Sequence, residues 1–140
     1  MGWYGAQVIL YVRFKDGDQS QTPVWENTYL IQSPDFEAAL EAAAERGKLG
    51  EGGEEVSMTW GGRPAEWVFA GVRSVSEVFH QGTADVLGHG DEVLFEEFVV
   101  DGVSAVEALV RGRSVRAEFT EMCEPGSAGD AEEGPSRPRG

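Results

Sequence analysis

The sequence predicts an α+β fold: one mainly antiparallel sheet of five or six strands, with one long helix packed on one face and a short C-terminal helix. Three observations predict it. Tyr4, Ala6, Val8, Leu10, Val12 and Phe14 alternate without a break, which is the period of a strand. The stretch from Glu66 to Phe79 is apolar on both faces, as in a strand covered on both sides at the middle of a sheet. Between them lies one amphipathic helical stripe, Phe36, Leu40 and Ala43, with Ala39 beside it.

The first strand ends at Lys15-Asp16-Gly17-Asp18, whose residues favour a turn, and its other face carries Trp3, Gln7, Ile9, Tyr11 and Arg13. A second strand follows from Val24 to Gln32, with Trp25, Tyr29 and Ile31 on one face. So short a link makes the pair antiparallel. Ser33-Pro34-Asp35 has helix-start chemistry, with Ser33 as N-cap and Pro34 at the first helical position, and Gly47 supplies the C-cap. Glu37, Glu41 and Glu45 form an outer acidic row. Residues 47–55 are rich in Gly and Glu. Those glycines follow a helix instead of opening one, and the glutamates repel phosphate, so this is a linker and not a phosphate loop.

Val56, Met58 and Trp60 share one face of a short third strand, and Gly61-Gly62-Arg63-Pro64 turns it back into the central strand. There, strict alternation places Trp67, Phe69, Val75 and Phe79 opposite Val68, Ala70, Val72 and Val78, and Gly71 marks a bulge or a close backbone approach. A fifth strand spans Glu92 to Val100. Ser104 to Glu107 has capping-box spacing before a two-turn helix, and Val115, Ala117 and Phe119 suggest a last strand. Residues 1–123 form one domain, and residues 124–140, without a large apolar side chain, form a disordered tail.

The formal charge is −14, and the tail's four acids are half offset by two arginines, so the acidity belongs to the preceding body. Such a surface repels nucleic acid and anionic lipid and attracts basic partners. No apolar run approaches the roughly 20 residues of a membrane span, and the N-terminus lacks a basic leader segment, so a cytoplasmic location is expected. The single cysteine, Cys123, forms no internal disulfide, and its glutamate neighbour disfavours a reactive thiolate.

Trp3-Tyr4-Gly5-Ala6, Trp25-Glu26 leading to Tyr29-Leu30-Ile31, the Ala/Glu helix, Glu66-Trp67-Val68-Phe69 and Gly90-Asp91-Glu92-Val93 together carry a resemblance over roughly residues 3–100. In these positions the chain resembles the small bacterial family catalogued as domain of unknown function 4288. The resemblance rests on aromatic and glycine positions, and it brings no activity and no functional residues with it.

Candidate chemistry is sparse. His80, His89, Asp85 and Asp91 fall within one loop, where Asp91 beside Gly90 does ordinary turn work; solvated loop residues are the reading, with no metal and no cofactor implied. Glu96 and Glu97 are strand neighbours pointing to opposite faces, not an acid pair. Aromatic residues are the surplus. Trp3, Ile9, Tyr11 and Trp25 are the expected partner-binding positions, and Tyr29, Arg73 and His80 the candidates for a pocket between helix and sheet.

The leading functional expectation is a non-enzymatic acidic module of immunity or accessory type, binding a basic protein. The alternatives are a structural homodimer without a ligand and a small ligand-binding or enzymatic domain. Because one helix cannot cover both faces of the sheet, homodimerisation through the open face or an edge strand is expected.

Overall fold

A computed structural model describes residues 1–52, 57–78 and 86–120. The expected tail 124–140, Cys123, His80 and Val56 lie outside these residues. The described elements are β1 (Gly2–Phe14), β2 (Val24–Ser33), α1 (Phe36–Leu49), β3 (Met58–Trp60), β4 (Arg63–Glu77), β5 (Phe98–Val100), α2 (Gly102–Val110) and β6 (Ala117–Phe119). The fold is α+β, but the strands divide into two sheets. One is four-stranded and antiparallel in the order β2-β1-β4-β3, and the other is the separate pair β5-β6. The expected fifth strand shrinks to Phe98–Val100, because residues 91–97 run irregularly and form no ladder.

The centre of the sheet is β1, paired along its length with β2 on one side and β4 on the other. Its even-numbered residues Tyr4, Ala6, Val8 and Leu10 are buried against Ala39 and Ala43 of α1, and Tyr29, Ile31, Phe36, Leu40, Phe69 and Val72 pack around them. Alanine on the inner helix face allows this close approach at little cost in side-chain entropy.

Three local expectations change. The N-cap is Asp35, whose carboxylate accepts from the Ala38 amide at 2.8 Å, while Ser33 is buried and its hydroxyl donates to the Asp35 carbonyl. The helix does not stop at Gly47 but runs on to Leu49, with Gly50 as C-cap. Gly47 is instead buried where a Cβ would strike the Phe69 ring, so its role is packing. In α2 the N-cap is Asp101, without a side-chain bond, and Ser104 lies inside the first turn.

Strict alternation also fails in β4. Ala70 and Arg73 are skipped by the register with β1, giving two one-residue offsets. Their effects on parity cancel, so Trp67, Phe69, Val72 and Val75 all reach the helix face, and Val72 is not on the opposite side. Gly71 sits between the offsets at φ 156° with open space where a Cβ would be, which makes it a bulge residue and not a site of close backbone approach. The β3–β4 hairpin turns through Gly61 and Gly62, both at positive φ as a two-residue turn of the twist-matching type requires.

Candidate interaction surface

The helix is too short for its sheet. Fourteen residues span about 21 Å, whereas β1 with thirteen extends about 43 Å. The last turn of α1 ends against Phe69 and Leu10, leaving the Val12 end of that face without a helix. Tryptophan fills the gap. Trp25 of β2 and Trp67 of β4 reach towards each other across β1 and meet with centroids 4.6 Å apart, and Trp60 of β3 meets Trp67 edge-on at 5.8 Å. Val12 is fully buried beneath this end of the sheet, but Trp25 remains 50% exposed. A half-exposed indole already braced by a second ring loses little entropy when a partner covers it.

Beside the cluster, Phe14, Ser20, Gln21, Pro23, Trp60, Gly61 and Arg63 line an open pocket of about 270 Å3, at the lower limit for small-molecule sites. Its walls are held. Gln19 accepts from the Phe14 amide and donates to the Val12 carbonyl and the Thr22 hydroxyl, and the Val12 and Lys15 amides donate to the Pro23 and Pro64 carbonyls. Arg63 stacks on Phe14 at 3.9 Å and donates to Asp16 and to the Asp18 carbonyl. The bond from Arg63 holds the Asp16 carboxyl below its ordinary value and raises the guanidinium. Arg63 is therefore engaged within the chain and is not a cation waiting for an anion.

The opposite face is partly covered by the chain itself. Trp3, Ile9 and Tyr11 are half-buried there, and Gly5 is buried where a Cβ would collide with the Val93 carbonyl and approach Leu94. Arg73, released from the ladder at its bulge, is the hub of this side. It donates to Glu26 of β2 at 2.6 Å, lies 3.3 Å from a Glu96 oxygen, and stacks on Phe119 of β6 at 4.2 Å. Phe119 in turn meets Phe98 across the small sheet.

The structure thus separates the residues the sequence singles out. Trp25 stands on the helix face, away from Trp3, Ile9 and Tyr11 on the other. Tyr29 is half-buried on the helix face with Arg46 5.9 Å from its ring, while Arg73 belongs to the opposite face, so the two do not converge on one pocket. His80 lies outside the described residues. Trp60 and Trp67 belong to the aromatic surplus of the sequence without being assigned there to a contact surface, and Phe14 and Arg63 carry no such signal. The Gly61-Gly62 turn does place Trp60 opposite Arg63, but the meeting of Trp25 and Trp67 depends on a register across β1 that no local pattern reveals.

Asp91 does turn work, its carboxylate accepting from the Gly88 amide at 2.6 Å beside exposed His89. Among the described residues, no group of three His, Cys, Asp or Glu side chains is placed to hold a metal ion. No described helix is long and apolar enough to cross a membrane. Residues 3–94 match the family described as Domain of unknown function (DUF4288). No curated protein and no solved structure matches the chain.

Proposed function

The chain belongs to the DUF4288 family, and from that premise we propose that it is a non-enzymatic protein-binding module whose contact surface is the tryptophan-capped end of the helix face. The carrying observation is Trp25, half exposed yet braced against the tilted ring of Trp67, next to an open pocket with fixed walls. Pre-ordered aromatic groups beside a shallow concavity are the usual anchors of protein interfaces. The net charge of −14 selects a basic partner and speeds its encounter. Catalysis finds little support at this surface, since its cation is engaged by Asp16 and its remaining polar side chains are Ser20 and Gln21.

The test is capture from a native lysate at low salt with the wild-type chain and with Trp25→Ala as parallel baits, both checked for folding by circular dichroism. A basic protein released by salt from the wild type should bind Trp25→Ala about thirtyfold more weakly, the loss of about 2 kcal/mol typical of an anchor residue. Equal binding by both baits, or binding indifferent to salt, overturns the reading.

A further inference from the structure

Strand β2 is an edge of the four-stranded sheet, and its free side can be mapped. The Val12 amide donates to the Pro23 carbonyl, so Val12 and Pro23 form a hydrogen-bonded pair of the β1–β2 ladder. The register then makes Leu10–Trp25, Val8–Asn27, Ala6–Tyr29 and Tyr4–Ile31 bonded pairs as well. The residues between them, Val24, Glu26, Thr28, Leu30 and Gln32, turn their backbone amides and carbonyls away from β1. These groups have no backbone partner among the described residues.

Edges are normally guarded by lysine, proline, bulges or a covering segment. The stretch of β4 that extends past three-residue β3 is guarded in this way. It carries two bulges, and Glu51 accepts from its Phe69 amide at 2.9 Å. By contrast β2 has no bulge, no lysine and no proline over ten residues, and it exposes Val24, Trp25 and Leu30. Its one charge, Glu26, is already held by Arg73. In a chain of net charge −14, this is a long backbone surface on which two copies do not confront uncompensated acids.

We propose that β2 pairs antiparallel with β2 of a second copy about a two-fold axis through Thr28, joining two four-stranded sheets into one continuous sheet. The register follows from the map. Pairing about Thr28 matches Thr28 with itself, Glu26 with Leu30 and Val24 with Gln32, so all five outward-facing residues enter the ladder, whereas a shift of the axis by one residue in either direction leaves some of them beyond it. On the helix face the same pairing sets Trp25 beside Ile31 and Asn27 beside Tyr29 of the second copy, and Glu26 never meets another acid. The axis is perpendicular to the sheet, so both helices and both tryptophan clusters face the same way. The arrangement stands whether or not a basic partner binds there.

The experiment is sedimentation of the purified full chain with Thr28→Lys and Thr28→Glu. Each substitution places like charges opposite each other at the axis, and since Thr28 is exposed with its amide turned away from β1, the β1–β2 ladder is left intact. The wild type should sediment at twice 15.2 kDa. Each variant alone should be monomeric, its dissociation constant raised on the order of tenfold or more, and an equimolar mixture of the two should recover the dimer. Amide exchange on the wild type supplies a second reading, with Glu26, Thr28 and Leu30 protected more strongly as concentration rises. A wild type that is monomeric at high micromolar concentration overturns the proposal. So does a dimer that survives both substitutions, and one broken by Val106→Lys instead would move the contact to α2. Neither substitution touches Trp25, so failure here leaves the partner-binding test unaffected.

Discussion

Tyr4 shows how one buried group ties the fold to pH. Its ring lies in the core beside α1, and burial raises its phenol above the ordinary 10.0, with Glu77 and Asp35 adding to the shift. Because the folded value lies above the unfolded one, the neutral phenol's contribution is fully present below about pH 10 and is lost as pH rises through the folded value. An alkaline titration followed by tyrosinate absorbance should therefore show a late step that coincides with loss of the circular dichroism of the fold. That step should be absent in Tyr4→Phe. If the same late step persists in Tyr4→Phe, the assignment is wrong.

Helix α1 shows where local signals mislead about an element. Glycine is the commonest residue just past a helix end, and Gly47 has that appearance, yet the helix runs two residues further and buries Gly47 against Phe69. Propensity alone would make Gly47→Ala stabilising by about 1 kcal/mol. The added methyl meets the aromatic ring, so overpacking should prevail and destabilise the chain by about 1–3 kcal/mol. The midpoint of urea unfolding measures the sign, and adding Phe69→Leu, which opens space for the methyl, should recover part of the loss. The same division runs through the sheet. Period-two alternation and turn residues made β1, β2 and the β3–β4 hairpin legible, because each depends on neighbours in sequence. Gly71 signals the bulge beside Ala70, but the second at Arg73, the covering of Gly5 by Val93 and Leu94, and the Arg73 hub depend on where distant strands lie, and nothing local encodes them. The tryptophan cluster was half legible. The aromatic surplus was visible, but its place was set by the length of a helix against the length of a strand.

At the scale of the whole molecule, charge separates the two proposals, because salt acts on them with opposite sign. Two copies of a chain of net charge −14 repel each other, while the contact proposed at β2 is made of backbone bonds, Thr28, Trp25 and Leu30, with its one acid already paired to Arg73. Raising ionic strength from about 0.01 M to 0.15 M shortens the screening length from about 30 Å to about 8 Å, which removes repulsion between the bodies and leaves the contact intact. Dimerisation should therefore tighten with salt over that range. Attraction of a cationic partner to the same acidic surface is screened by the same ions, so that binding should weaken. Sedimentation of the chain alone and a tryptophan-fluorescence titration with a captured basic partner, run in one salt series, compare the two slopes. Opposite slopes are the expected result. A dimer that loosens with salt would be held by ion pairs and not by β2, and a partner that binds more tightly with salt would be held by apolar contact without the acidic field that the proposed function requires.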